Sequence, residues 1–313
     1  MSLRIILLST AILLAFPGFA LSFQGYVQSF DNNATMSWGS GEVVVTRGLA
    51  SPDGDASAVS PLAVRKAATS ARKQLLDIIM SIRIDAKRTV SAFLSDDSEL
   101  AARVRGVIQN SPMERPAVFE EGGEVRVSEQ FRGKLAELVL PTTIPFQSGI
   151  PPKLSTSMEQ SLSFNGGVPE EVGAGTSGYT GVIIDARGFK VTPALTPVIY
   201  GQDGLGAYGA FVVSRDNAIN KGVAAYSTTP EQDKLRERVG SRPLVVRALS
   251  AYGSWRTDLI VTTPMAQLVR AVMRTPEAAD NCRLVIVISP PIVEKGGEES
   301  GEPIEATLPS EEQ

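Results

Sequence analysis

The chain of 313 residues has no histidine and a single cysteine. Without histidine, Ser-His-Asp and Cys-His catalysis, the His-Glu-x-x-His zinc motif and the facial iron triad are all excluded. One cysteine, Cys282, excludes an intrachain disulfide and a thiolate metal cluster. Cys282 precedes the apolar run RLVIVI, which is typical of a small buried hydrophobe. We therefore predict that the protein uses no metal and no cofactor.

The chain has no net positive charge, and aromatic residues are few. The formal net charge is -4, and aromatic residues make up 6% of the chain. The few aromatic residues do not alternate with basic ones as in a nucleic-acid platform, so we predict no nucleic-acid partner. The hydrophobic share of 43% and the charged share of 20% instead indicate a globular protein. At this length we expect about two domains.

The N-terminus is typical of an export signal. Arg4 precedes an apolar segment at residues 5–16, and the following FPGFALS combines helix breakers with small residues. These features predict a signal peptide at residues 1–22, cleaved after Ala20 or Ser22. An uncleaved membrane anchor is the alternative, because the apolar stretch runs on to Phe23. No cysteine stands at the cleavage point, so we expect no lipid anchor and a periplasmic or outer-membrane-associated protein.

The pattern of residues 36–140 predicts a first domain in which strands and helices alternate. Ser60-Pro61 provides an N-cap and a first helical residue, and an amphipathic helix follows to about Ile82. Residues 81–90, SIRIDAKRTV, alternate as a strand does, with Asp85 at an exposed charged edge. The other predicted elements are a strand within 38–50, a helix from Ser98, a strand within 121–128 and a helix after Ser128.

Residues 141–178 are rich in Pro, Gly, Ser and Thr and predict a linker. A second domain is expected at 179–290, followed by a disordered acidic tail at 291–313. In the second domain, strand 257–262, helix 264–274 and strand 284–289 predict a βαβ unit with neighbouring parallel strands. A helix opened by the capping box Thr229-Pro230-Glu231-Gln232 should end at Gly240. The predicted fold class is α/β to α+β, with two small mixed-sheet domains joined by the linker.

The stretch GYTGVIIDARG ends an apolar run with Asp185, Arg187 and Gly188. A strand that delivers a catalytic carboxylate has this layout, and so has a strand that ends in a tight turn. With no histidine in the chain and no second carboxylate close in sequence, we interpret the three residues as a structural turn. In such a turn Asp185 accepts hydrogen bonds from backbone amides and Arg187 pairs with an acidic neighbour.

Several segments resemble the LPP-twenty lipoprotein family of bacterial envelopes and the N-terminal domain of the flagellar assembly protein FlgT. They include WGSGEVVVTRGLA, AVRKAATSARKQLLDII, SIRIDAKRTV, EVRVSEQFRGKLAELVLP and GYTGVIIDARGFKVTPALTPVIYG. The resemblance covers most of the chain from Trp38 to Ile288. It implies an extracytoplasmic, non-enzymatic envelope protein, in some members tied to flagellar or outer-membrane assembly. The chain departs from the family because the lipidated cysteine is missing.

These observations predict a non-enzymatic structural or assembly protein of the cell envelope. Its expected partners are envelope proteins or a second copy of itself, with peripheral membrane contact. A periplasmic ligand-binding module is the alternative, with its site near the strand ends of the second domain. A hydrolase built on Asp85 or Asp185 is a third hypothesis.

Overall fold

The first half of the chain forms an antiparallel sheet covered by helices. The computed structural model describes residues 23, 25–31, 33–49, 60–119, 122–154 and 178–290. In the first sheet the strands lie in the order β1-β2-β3-β5-β4. They are β1 (Val27–Asp31), β2 (Ala34–Ser37), β3 (Glu42–Leu49), β4 (Ala117–Phe119) and β5 (Gly122–Gln130). The helices are α1 (Pro61–Ser81), α2 (Val90–Leu94), α3 (Ser98–Gln109) and α4 (Lys134–Val139).

Helix α1 follows the predicted pattern. The Ser60 hydroxyl accepts a hydrogen bond from the backbone N–H of Leu62, and Pro61 is the first helical residue. The apolar stripe of the helix, including Leu75 and Ile79, is fully buried against β3 and β5. The helix ends at Ser81 because Ile82 adopts an extended backbone conformation.

The predicted strand at residues 81–90 is wrong. This segment is a turn that connects α1 to α2 and contains only an isolated bridge between Arg83 and Thr89. The Asp85 carboxylate accepts hydrogen bonds from the backbone amides of Lys87 and Arg88, which bends the chain. Ile82 and Ile84 are both buried. The alternation of apolar and polar residues in this segment therefore comes from two buried side chains that hold the turn in place, and not from one face of a strand.

The second half contains two four-stranded sheets. One is parallel, in the order β10-β6-β13-β9, and the other is mixed, in the order β11-β12-β7-β8. The strands are β6 (Gly181–Asp185), β7 (Ile199–Gly201), β8 (Gly206–Tyr208), β9 (Ala225–Ser227), β10 (Pro243–Arg247), β11 (Ser250–Tyr252), β12 (Asp258–Val261) and β13 (Leu284–Val287). The helices are α5 (Arg215–Lys221), α6 (Gln232–Val239), α7 (Thr263–Met273) and α8 (Pro276–Asp280).

The βαβ prediction for β12, α7 and β13 is wrong in its pairing. Strand β12 lies between β11 and β7, whereas β13 lies between β6 and β9 in the other sheet. Helix α7 packs against β6, β7 and β8. It therefore covers an apolar face of each sheet, and the chain passes from one sheet to the other through it. The sequence pattern predicts the strands and the helix but contains no signal for which strand pairs with which.

Other elements differ from the predicted ones in extent. Helix α6 ends at Gly240 with φ 81°, as predicted, but it begins at Gln232, two residues after Pro230. Helix α5 and the hairpin of β1 and β2 were not predicted. The hairpin extends the first sheet to Val27, ahead of the predicted domain start at residue 36.

The two halves share one hydrophobic core. The largest buried cluster includes Met36 and Trp38 of the first half together with Tyr208 and Tyr226 of the second. The rings of Trp38 and Tyr226 meet edge to face, with centroids 5.3 Å apart. The Tyr26 amide also donates to the Tyr226 carbonyl over 2.7 Å. The halves are therefore joined by core packing as well as by the chain.

Part of the predicted linker packs against the second half. Ile144 and Phe146 contact the shared core, and the Leu154 amide donates to the Gly204 carbonyl. Residues 155–177, the predicted signal peptide at 1–22 and the predicted tail at 291–313 lie outside the described residues. The predicted fold class, with mixed-sheet α/β domains, is confirmed. Within the described ranges, no helix is long and apolar enough to cross a membrane.

Candidate functional site

A cleft of about 1010 Å³ runs along the seam between the two halves. Its walls come from the turn after α1, from the segment before residue 155 and from the mixed sheet of the second half. Apolar and aromatic side chains line most of it, and a few polar groups converge on it, which is the usual composition of a binding site. The lining residues that matter here are Asp85, Ile144, Ile150, Tyr200, Phe211, Tyr252 and Asp258.

Asp258 is a buried carboxyl group of this cleft. It is the first residue of β12, and 5% of its surface is exposed. Its Oδ1 atom accepts hydrogen bonds from the Val198 amide over 3.1 Å and from the Thr257 hydroxyl over 3.3 Å. Burial raises the pKa of the Asp258 carboxyl to about 6, although both hydrogen bonds favour the charged form. Both of these bonds end at Oδ1, and Oδ2 accepts no hydrogen bond from the part of the chain that the structure describes.

Two tyrosines stand beside Asp258. The rings of Tyr200 and Tyr252 meet edge to face, with centroids 6.0 Å apart, and both line the cleft. Burial raises the pKa of the Tyr200 hydroxyl, and the charge of Asp258 raises it further. A carboxylate next to aromatic faces is an arrangement that binds cationic groups, because both attract positive charge.

Asp85 approaches the same cleft from the first half, and its charge contributes to the raised pKa of Asp258. Both of its oxygens are already used. Oδ1 accepts from the amides of Lys87 and Arg88, and Oδ2 accepts from the Arg88 guanidinium over 2.7 and 3.1 Å. The chain thus brings two carboxyl groups to one cleft, but Asp85 is held as the centre of a turn.

Asp185, Arg187 and Gly188 lie at the end of β6, outside the lining of the cleft. Asp185 accepts from the Arg187 amide over 3.1 Å, and its carboxylate binds the guanidinium groups of Arg187 and Arg247. Gly188 turns the chain with φ 92° and donates its amide to the Ser289 hydroxyl.

Ion pairing determines the titration of Asp185. The hydrogen bonds from Arg187, followed by those of Arg247, lower the pKa of Asp185 to about 2 against the opposing effect of burial. The carboxylate is therefore charged at neutral pH, and its contacts tie β6 to β10. Its structural role remains a prediction.

Sequence reasoning missed Asp258. The segment RTDLIVT was interpreted only as a strand, although an aspartate that opens a fully apolar run was a usable signal. The neighbourhood of Asp85 was not predictable in the same way. Residues 85 and 258 are brought together by the docking of the two halves, and no local pattern encodes this contact.

The fold and the cleft define a mixed α/β protein with a candidate binding site at the junction of its halves. A family model for the second domain of Tp0624 from Treponema pallidum matches residues 181–290. The second half of this chain is therefore similar to that domain. A search of curated proteins finds no significant match.

Proposed function

We propose that this chain is an exported, non-enzymatic component of the bacterial cell envelope with a structural or assembly role. The N-terminal export pattern supports the location, and the resemblance of the chain to the LPP-twenty family supports the role. The similarity of residues 181–290 to a domain of a spirochaete protein is consistent with a bacterial source. A flagellar connection, present in part of the LPP-twenty family, is a further part of this proposal.

The cleft around Asp258 is the observation on which the proposal rests. Its rim exposes 74% of the Ile150 surface, and Pro151 and Pro152 follow directly. Tyrosine, proline and isoleucine at a concave surface suit an extended protein segment, because they bury large area at a low entropic cost. The partner segment carries a lysine or arginine, which satisfies the Asp258 carboxylate beside the two tyrosines.

The carboxyl groups of the chain support a binding role over a hydrolytic one. A hydrolase of the two-carboxylate type needs one carboxyl as acid and a second as base or nucleophile. Asp85 has both oxygens engaged by its own turn, and Asp185 is bound by two guanidinium groups. Among the described carboxyl groups that line the cleft, Asp258 has an oxygen, Oδ2, that accepts no hydrogen bond from the described residues.

Site-specific photocrosslinking in cells tests this proposal. A photoreactive residue at Ile150, on the cleft, is compared with one at Leu62, which is 75% exposed on α1 and does not line the cleft. We expect a discrete envelope-protein adduct from position 150 and none from position 62. The adduct should be lost when Asp258→Asn is combined with the label. Equal labelling at the two positions, or no adduct at 150, contradicts the proposal.

A periplasmic ligand-binding module is the second candidate, favoured by the buried carboxyl of Asp258. In that case the cleft holds a small cationic molecule and not a protein segment. Native mass spectrometry of the purified protein separates the two candidates. A bound small molecule that Asp258→Asn removes favours the ligand-binding module, and an empty cleft with a crosslinked protein favours assembly.

A further inference from the structure

Four cationic side chains line a second cavity. This cavity, of about 550 Å³, shares no lining residue with the Asp258 cleft. We call it the basic cavity. Its cations are Arg132, Lys221, Arg238 and Arg283, and Glu237 is the carboxylate among its lining residues.

The hydrogen bonds of these cations go mainly to backbone carbonyls. Arg238 donates to the carbonyls of Lys221 and Gly222 over 2.7 and 2.8 Å. The Arg132 guanidinium donates to the carbonyls of Trp38 and Gly39. Neither arginine forms an ion pair with a carboxylate among the described residues.

Lys221 and Arg283 also donate to backbone carbonyls, but each has a side-chain partner as well. The Lys221 ammonium donates to the Asp280 carbonyl over 2.8 Å and to the Asn281 side chain over 3.0 Å. Arg283 is paired with Glu277 and also reaches the Thr180 carbonyl. Glu237 accepts the Phe23 amide over 2.6 Å. The lining thus carries four positive charges against one negative charge, with Glu277 outside the lining.

Capping of helix C-termini explains only part of this arrangement of cations. Arg238 satisfies carbonyls at the end of α5, and Lys221 does the same after α8. One cation at the end of each helix would be enough for capping, so capping does not explain why four cations line the same cavity. A guanidinium also has five N–H donors, and Arg238 uses two in the bonds given above. Its Nε atom is buried without a partner in the described part of the chain.

The two arginines also repel each other. Burial and then the charge of Arg238 lower the pKa of Arg132 to about 10. Burial likewise lowers the pKa of Arg238. Like charges that are partly removed from water cost stability unless an anion compensates them. No carboxylate of the described residues forms an ion pair with either arginine.

We propose that the basic cavity binds a phosphate group. Arginine forks match the oxygens of phosphate, and the surplus of positive charge suits a group with more than one negative charge. The phosphate comes either from a soluble molecule or from the headgroup of an anionic lipid. Phe23, an apolar residue, lines the cavity beside the four cations.

Titration calorimetry with inorganic phosphate at constant ionic strength tests the site. The wild-type chain should bind one phosphate saturably, and both Arg132→Gln and Arg283→Gln should weaken this binding at least tenfold. Arg283 is the safer variant for folding, because it lies at the edge of the cavity and is partly exposed. Arg236→Gln is the matched control, since Arg236 is exposed on the same helix as Arg238 and does not line the cavity.

Flotation with phosphatidylglycerol or phosphatidylcholine vesicles separates the two sources. The site is assigned to a lipid headgroup if the protein binds phosphatidylglycerol vesicles, if Arg132→Gln and Arg283→Gln both weaken this binding, and if free phosphate competes with it. Binding of inorganic phosphate without a preference for phosphatidylglycerol assigns it to a soluble phosphate. The proposal is overturned if neither probe binds in a way that depends on Arg132 and Arg283. It is also overturned if Arg236→Gln weakens binding equally, because that result reports a general effect of charge.

Discussion

At the scale of single residues, Asp258 is a carboxyl group that the fold holds at a cost to stability. Its pKa is about 6 in the folded chain and about 4 in an unfolded one. The unfolded chain therefore loses its proton first as the pH rises. The contribution of Asp258 to stability falls between about pH 4 and pH 6 and is level above that range.

We predict that Asp258→Asn removes the decrease in stability that the wild type shows between about pH 4 and pH 6. Relative to the wild type, the variant should gain about 1–3 kcal/mol in unfolding free energy between pH 4 and pH 7, because asparagine has no charge to desolvate. Urea unfolding at several pH values measures the difference. Asp233→Asn, an exposed residue on α6, is the control and should change stability by less than about 0.5 kcal/mol. If the unfolding free energies of the wild type and Asp258→Asn changed with pH in the same way, this result would contradict the raised pKa of Asp258.

Asp185 has the opposite dependence on pH. Its folded pKa of about 2 lies below the unfolded value, so its contribution is present above about pH 4 and is lost as the pH falls toward 2. We predict that Asp185→Asn lowers the unfolding free energy at pH 7 by about 1–2 kcal/mol, a value reduced because the arginine partners are partly exposed. The difference should disappear near pH 2. A variant that keeps full stability but loses envelope function would make Asp185 a site residue.

At the scale of elements, the contact between Phe23 and α6 bears on where the export signal is removed. The Phe23 nitrogen lies 2.6 Å from the Glu237 carboxylate, and the Phe23 ring packs on a small cluster beneath α6. Cleavage after Ser22 would turn this nitrogen into a charged ammonium group and the contact into an ion pair.

We predict that the exported protein begins at Phe23 and that Glu237→Gln destabilises it by about 0.5–1 kcal/mol, the scale of an exposed ion pair. Intact mass and N-terminal sequencing identify the first residue, and thermal unfolding measures the second effect. The matched control is a chain that begins at Leu21, in which residue 23 has an ordinary amide. Glu237→Gln should have a smaller effect there. A mass that includes residues 1–22 would show an uncleaved anchor instead.

Local signals account for the elements that the sequence predicted correctly. Helix α1 combines a Ser-Pro start with a continuous apolar stripe, and α6 ends at a glycine with positive φ. The failures have tertiary causes. The turn around Asp85 has the alternating pattern of a strand because Ile82 and Ile84, two residues apart, are both buried. Strands β12 and β13 lie in different sheets, and α7 connects the two sheets. Asp258 was missed because its importance depends on a cleft that two distant segments form together.

At the scale of the whole molecule, the two halves share a hydrophobic core, and we expect them to fold as one unit. We predict that a protease site introduced within residues 155–177 can be cut without separating the halves. The two fragments should elute together in native size exclusion, because Trp38 and Tyr226 pack in the same core. The uncut protein should also unfold in a single transition. Fragments that separate spontaneously, or two unfolding transitions, would show that the halves are independent domains.

The contact between Phe23 and Glu237 joins positions that are 214 residues apart. A chain that crosses a membrane from its N-terminus, as proposed, delivers the first hairpin long before the strand and helix that cover it. Contacts of such large sequence separation slow folding, because a long loop must close before they form. During the proposed translocation, the apolar residues around Trp38 would therefore stay exposed to solvent until the segment that contains Tyr226 has crossed the membrane. If the chain is exported as we propose, this architecture makes it depend on holding chaperones, and a shortage of them should harm this protein before it harms one built from local contacts.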